Sequence, residues 1–155
     1  MRAGRRLAID VGKVRIGIAA SDLHAILASG VATITRSDDL TVSISEILNL
    51  VAEIQPIEIY VGYPISLSGT SNSSSSDATR FAKEISKGLS VPVRLIDERM
   101  TTITAGNALK LSGRDSKTGR KVIDQIAATV ILEQALETER LTGKVPGIAL
   151  EEIDE

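Results

Sequence analysis

The sequence contains no cysteine and no tryptophan, and aromatic residues make up only 2% of its 155 residues. The lack of cysteine excludes disulfides, thiolate nucleophiles and cysteine zinc sites. The single histidine, His24, cannot form a histidine-rich metal site by itself. The scarcity of aromatic side chains argues against a single-strand binder that stacks bases on aromatic platforms. It also requires a core built from Ile, Leu, Val and Ala.

No apolar run reaches the roughly 18 residues that a membrane span needs, and the basic start "MRAGRRLAID" lacks the apolar core of a signal peptide. We therefore expect a cytoplasmic protein with no membrane partner. The chain has the length of one ordinary domain, and its 43% apolar and 25% charged residues are typical of a globular one. We predict a folded domain over residues 1–141 and an acidic, flexible tail over residues 142–155.

Hydrophobic periodicity predicts the element order β-β-β-α-β-α-β-α-α. The segments "RRLAIDV" and "RIGIAAS" form a hairpin around "GKV", and a third strand follows directly. The Ser-rich stretch at residues 65–77 is predicted to be a mobile loop, and residues 114–121 a basic loop. Helices are expected over residues 38–55, 78–89, 101–113 and 122–141. Hairpin-linked strands followed by crossover units predict an α/β fold with a mixed sheet and helices on both faces.

Asp10 lies inside the first predicted strand, where aspartate is depleted and a buried carboxylate needs a partner. Strand alternation places Asp10 with Ala8 on the face opposite Ile9, and Gly17 of the next strand lies on an equally small face. Small neighbours leave room around the carboxylate. Asp10 is therefore a candidate working group, although an aspartate that begins the turn at Gly12 would explain it structurally.

Two further acids stand in unusual places. On a helical wheel Asp124 falls inside the apolar arc of the last predicted helix, where an unpartnered carboxylate is costly. Its structural explanation is a helix that begins just there, with Asp124 facing the positive end of the dipole. Glu98 follows Asp97 at the end of the strand in "LIDERMTT", where one acid can face a site while the other caps a helix. A polar strand-to-helix turn is the alternative for this segment.

Taken together, three acids without a nearby His or Cys suit a hard divalent cation bound through oxygen, Mg²⁺ or Mn²⁺. Two such ions about 4 Å apart can activate a water and stabilise the leaving oxygen in phosphodiester hydrolysis. Net charge is only −2, but residues 1–36 and residues 101–124 are locally basic. The candidates for binding nucleic-acid phosphates lie in these segments and beside Glu98, and they are Lys13, Arg15, Arg99, Arg114, Lys117, Arg120 and Lys121.

The chain resembles the YqgF/RuvX family of RNase H-like proteins over nearly its whole length. The segments that carry the resemblance are, in order, "IDVGKVRIGIA", "VGYPISLSGT" followed by "RFA", "IDERMTT" and "VIDQIAATVIL". The resemblance implies an RNase H-like fold with a five-stranded sheet in the order 3-2-1-4-5. It also implies an acidic catalytic and metal site formed by Asp10, Glu98 and Asp124.

By resemblance, the expected function is that of a metal-dependent nuclease that matures the 5′ end of pre-16S rRNA, with structured RNA as its partner. The first alternative is a Holliday junction resolvase on branched DNA, which must act as a dimer because it cuts two strands symmetrically. Monomer and homodimer both stay open. The second alternative is a non-catalytic assembly factor that binds nucleic acid. The actin, hexokinase and sugar-kinase superfamily also uses an Asp-x-Gly hairpin, but it closes two such domains around ATP.

Overall fold

The computed structural model describes residues 1–64, 72–98 and 116–152, with the backbone alone for residues 116–122. Within these ranges six strands form one sheet in the order β3-β2-β1-β4-β5-β6. The strands are β1 (Arg6–Val11), β2 (Arg15–Ser21), β3 (Ala28–Thr35), β4 (Glu58–Tyr63), β5 (Val93–Asp97) and β6 (Ile148–Ala149). The helices are α1 (Leu40–Ile54), α2 (Ser73–Lys87) and α3 (Ser116–Thr142), followed by a 3₁₀ turn (Leu150–Glu152).

The predicted α/β sheet is confirmed in both order and direction for its first five strands. Strands β3, β2 and β1 are antiparallel neighbours, whereas β1, β4 and β5 run parallel because helical crossovers connect them. The short strand β6 pairs antiparallel with β5 and extends the predicted five-stranded sheet to six. A two-residue strand has no periodicity, so the sequence pattern could not reveal it.

One face of the sheet packs against α1 and α2 through bulky aliphatic side chains. Leu7, Ile9, Ile16 and Ile18 are fully buried there, as strand alternation predicts, together with Phe81 of α2. Helix α1 begins after Asp39, whose carboxylate accepts from the backbone N–H of Thr41 at 3.0 Å, and it ends before Pro56. This face forms the larger of the two hydrophobic clusters and holds the first two helices on the sheet.

The opposite face carries small residues on β1 and β2, and of the three described helices it is α3 that packs against it. Ala8 and Ala19 are fully buried beneath Ala128 and Ala135 of the helix. At Gly17 the approach is closest, because a Cβ atom there would collide with the backbone carbonyl of Asp124. The small face thus permits α3 to lie directly on the sheet at the level of Asp10, which pairs with Gly17 across the β1–β2 ladder.

Two predicted helix boundaries were wrong. Helix α2 begins at Ser73, inside the stretch predicted as a loop, because Asn72 and Ser75 form a reciprocal capping box. Helix α3 begins at Ser116, so most of the predicted basic loop is its first turns. The helix predicted over residues 101–113 lies outside the described residues. Among the described helices, none combines the length and apolar character that crossing a membrane requires.

Candidate active site

The three predicted acids are carried by separate elements that meet at one edge of the sheet. Asp10 lies near the carboxyl end of β1, and Glu98 directly follows β5. The carboxyl ends of β1, β4 and β5 lie at the same edge because these strands are parallel. Asp124 reaches this edge from above, on α3. Each acid thus enters the site from a rigid element or its end.

Asp10 and Asp124 are brought together at Gly17, where the helix backbone lies against the sheet. Burial, with a smaller contribution from the negative charge of Asp124, raises the pKa of Asp10 from 3.8 to about 6. No hydrogen bond or ion pair from another described residue reaches the Asp10 carboxylate. A half-buried carboxylate without a hydrogen-bond partner is well suited to receive a cation.

Glu98 completes this acidic group from the side of β5. Burial raises its pKa from 4.5 to about 8, with additional contributions from the charges of Asp10 and Asp97. A Cβ atom on Gly62 would lie 2.7 Å from the Glu98 carboxyl carbon and 2.7 Å from Cδ1 of Ile131. The glycine on β4 therefore provides the space in which the Glu98 carboxylate lies.

Asp124 is held by a basic residue from β2. Arg15 donates from Nε to Oδ2 of Asp124 at 2.8 Å, and both side chains are partly buried. Arg15 was predicted to bind nucleic-acid phosphate, and its position places a guanidinium inside the acidic group. The positive charge of Arg15 offsets part of the repulsion among the three carboxylates.

Two structural explanations for these acids are not supported by the local geometry. The turn after β1 is closed by the backbone N–H of Gly12, which donates to the carbonyl of Arg15 at 3.0 Å. The Asp10 carboxylate is therefore not required for that turn. Helix α3 begins at Ser116, two turns before Asp124, so Asp124 does not face the positive end of the helix dipole.

The carboxylates of Asp10, Glu98 and Asp124 are of the right chemical type to bind a divalent cation, although they do not form a preformed metal site. Among the described residues no three acidic or histidine side chains stand together as a preformed metal site. The Asp124 carboxylate is instead paired with Arg15. All the donors are carboxylate oxygens, which hard cations such as Mg²⁺ prefer. Burial first, and neighbouring negative charge second, raise the pKa values of Asp10 and Glu98, and a bound cation would favour the charged carboxylates against both effects.

The predicted phosphate-binding residues are only partly described. Lys13 is exposed in the β1–β2 turn, and Arg15 is engaged with Asp124 as above. Arg99 and Arg114 lie outside the described residues. The remaining three, Lys117, Arg120 and Lys121, lie on the first turns of α3, with side chains outside the described part.

The sequence reasoning missed two charged groups. Arg36 is bound through both terminal nitrogens by Asp77 on α2, at 2.7 and 2.8 Å. At the other end of the sheet, buried Arg6 donates to Glu139 of α3 at 2.9 Å. Arg2 joins Glu139 to Glu58 in the same network. Arg6 could have been noticed as a charge at the start of an otherwise apolar strand. Its partner Glu139 could not have been identified, because it is distant in sequence.

Comparison with known proteins identifies the family. The family model described as "RuvX: Holliday junction resolvase" matches residues 4–138. The chain belongs to this family. A Streptomyces coelicolor relative named "Putative pre-16S rRNA nuclease" is 51% identical over 97% of this chain and 90% of its own length. A relative of the same name from Leifsonia xyli is 46% identical over 97% of both chains. The RuvX-family chain described here is accordingly a nuclease.

Solved structures agree with the RNase H-like fold. Thermus thermophilus RuvC, solved in complex with a Holliday junction substrate, superimposes with a TM-score of 0.58 at 14% identity. The match covers 89% of this chain and 96% of RuvC. A second structure of Thermus thermophilus RuvC gives a TM-score of 0.56 at 12% identity. At this identity the likeness concerns the fold, which confirms the predicted RNase H-like architecture.

Proposed function

We propose that this RuvX-family nuclease hydrolyses phosphodiester bonds with a divalent metal held by Asp10, Glu98 and Asp124. The observation that carries the proposal is the position of Asp10, which is buried at one end of the sheet near enough to Asp124 and to Glu98 for these charges to act on one another. Burial and this repulsion raise the pKa values of Asp10 and Glu98. Carboxylates held together at a cost in repulsion are typical of functional sites.

The chain's own residues have distinct roles in this proposal. Asp10 is the rigid anchor, because β1 lies between two neighbouring strands and Ile9 beside it is fully buried. Glu98 and Asp124 bring their oxygens from β5 and α3. Bound Mg²⁺ or Mn²⁺, one or two ions, would lower the pKa of an attacking water and stabilise the leaving oxygen. Arg15 is then free to pair with substrate phosphate once Asp124 has a cation.

We propose structured RNA of the pre-16S rRNA type as the substrate. Support comes from relatives at 46–51% identity across nearly the full chain, which are named as putative pre-16S rRNA nucleases. Branched DNA is the second candidate, favoured by the description of the family model and by the fold shared with RuvC. Cutting a four-way junction symmetrically would require a homodimer, whereas trimming an RNA end requires only a monomer.

The deciding experiment compares cleavage of a pre-16S rRNA leader and a four-way DNA junction by the full chain, with and without Mg²⁺. Asp10→Asn and Asp124→Asn should each reduce the cleavage rate by roughly 100-fold or more, because each removes a ligand charge. Glu53→Gln, an exposed change on α1, serves as the control and should cleave normally. Wild-type rates in either site variant would show that the metal assignment is wrong.

Cleavage of the junction alone, by a dimer in sedimentation velocity, would favour the DNA role. Binding of RNA without cleavage under any metal condition would instead support the non-catalytic assembly factor. Cleavage of the rRNA leader at its 5′ side, dependent on Mg²⁺ or Mn²⁺, is the outcome expected here.

A further inference from the structure

A polar cavity lies at the same end of the sheet as the acids, on the face covered by α1 and α2. It is open to solvent, has a volume of about 550 Å³, and is separate from the acidic group. Its lining includes Lys13, Arg36, Ser37, Ser73, Asp77 and Arg80. We call it the Arg36 pocket. None of its cations except Lys13 was a sequence-based candidate.

The base of the Arg36 pocket is rigid. Arg36 is clamped by both carboxylate oxygens of Asp77, and its Nη1 also donates to the carbonyl of Gly12 at 2.9 Å. The guanidinium lies 5.3 Å above the centre of the Phe81 ring, which limits its rotation. The hydrogen bonds from Arg36 also hold the pKa of Asp77 below its usual range, so the clamp is charged at neutral pH.

The rim of the pocket offers positive charge that the fold does not use. Lys13 is exposed and has no hydrogen bond or ion pair with any described residue. Arg80 gives one bond to Asp77 at 3.1 Å, and its side chain is 62% exposed. Helix α2 begins at Ser73 and has no acidic residue in its first turn, so its positive end is uncompensated. Two acids are among the described lining residues: Asp77, which is paired with Arg36 and Arg80, and Asp38, which opposes an anion.

The pocket is physically connected to the acidic edge. Gly12, whose carbonyl accepts a hydrogen bond from Arg36, is two residues beyond Asp10 and directly follows β1, and Lys13 comes next. Two residues of extended chain span about 7 Å. A nucleic-acid strand whose phosphate lies beside Asp10 would therefore carry neighbouring phosphates across the end of β1 to the pocket.

From this juxtaposition we propose that the Arg36 pocket binds backbone phosphates of the substrate strand next to the bond that is cleaved. The inference rests on the proposed nuclease site, because it uses the position of that site to identify the ligand. An open, polar, cation-rimmed cavity suits a flexible phosphate chain, which is held by charge and carries no base identity to be read there. Lys13 and Arg80 act as binding residues, and Asp77 positions Arg36.

The test measures binding without cleavage. A labelled single-stranded RNA oligonucleotide is titrated with the metal-free full chain in EDTA, at several salt concentrations, with fluorescence polarisation as the readout. Lys13→Gln and Arg80→Gln should each weaken binding about three- to tenfold at low salt. Each should also reduce the slope of log affinity against log salt by about 0.7. The double variant should combine the losses of affinity and the reductions in slope of the two single variants.

The matched control is Lys87→Gln, at the far end of α2, where the lysine pairs with Glu84 at 2.9 Å. It should bind like the wild type, and all variants should show wild-type circular dichroism and melting. Unchanged affinity and slope for both Lys13→Gln and Arg80→Gln would overturn the proposal. So would a mononucleotide that competes as strongly as the oligonucleotide, since the pocket would then bind a free nucleotide.

The outcomes separate this inference from the proposed function. If the wild type cleaves but the pocket variants bind normally, the pocket assignment alone fails. If the wild type never cleaves and the pocket variants still lose affinity, phosphate binding stands and the nuclease site fails.

Discussion

Arg15 on β2 and Asp124 on α3 form a charged hydrogen bond of 2.8 Å that joins the middle of the sheet to the helix above it. The two residues are 109 positions apart in sequence. The guanidinium compensates part of the negative charge of Asp124, the acid whose charge acts on Asp10. The ion pair therefore affects both the stability of the metal-free protein and the affinity of its acidic group for a metal.

The first prediction follows from this ion pair. Arg15→Gln removes a positive charge from the acidic group and releases Asp124, so the affinity for Mn²⁺ should rise several-fold. Isothermal titration calorimetry on the substrate-free protein measures this directly. Arg94→Gln is a suitable control, because Arg94 binds the carbonyls of Pro146 and Gly147 at another edge. Weaker Mn²⁺ binding by Arg15→Gln would show instead that Arg15 prepares Asp124 for the metal.

The second prediction concerns pH and the metal-free fold. The pKa values of Asp10 and Glu98 are raised to about 6 and about 8, so the native state binds more protons than the unfolded chain above about pH 4. The free energy of unfolding should therefore fall as pH rises from 5 to 8, by about 5 kcal/mol, with Glu98 contributing the larger share. Asp10→Asn should flatten this fall and should not destabilise the protein at pH 8.

Urea denaturation followed by circular dichroism is appropriate, since the chain has no tryptophan. Glu53→Gln should keep the wild-type pH dependence, because this side chain is exposed on α1. A loss above roughly 2 kcal/mol in Asp10→Asn would mark Asp10 as a structural hydrogen-bond acceptor, in conflict with the proposed role.

The third prediction concerns the close approach at Gly17. Gly17→Ala places a Cβ atom against the Asp124 backbone and must push α3 away from the sheet. We expect a stability loss of about 2 kcal/mol and a larger proportional loss of cleavage, because Asp124 moves from Asp10. Gly88→Ala is the control, since its nearest neighbour is the movable Cδ1 of Leu48 at 3.1 Å. Full activity in Gly17→Ala would mean that the position of Asp124 is not critical.

The fourth prediction concerns the buried charge network far from the acids. Glu139→Ala removes the carboxylate that Arg6 and Arg2 contact at 2.9 and 2.6 Å, and Arg6 is fully buried. An uncompensated buried guanidinium should cost about 3–5 kcal/mol in the free energy of unfolding. Glu137→Ala, an exposed residue two positions earlier, should cost under about 0.5 kcal/mol. Equal losses in the two variants would contradict a structural role for the network.

Local patterns in the sequence determined the layout of this protein. Alternation in β1 and β2 placed Asp10 opposite the bulky face, because side chains in a strand point to opposite faces in turn. The change to helical period located α1. The oddly placed acids Asp10, Glu98 and Asp124 were also visible, since a carboxylate among apolar residues violates the local pattern.

Tertiary structure alone decided how distant residues meet. The pairing of Arg15 with Asp124 and of Arg36 with Asp77 has no trace in the sequence, because each partner is far away along the chain and belongs to another element. Gly17 and Gly62 mattered through what lies against them, which depends on the packing of α3 and Glu98. Periodicity reports which face a residue occupies, whereas the neighbour across that face is set by how whole elements pack.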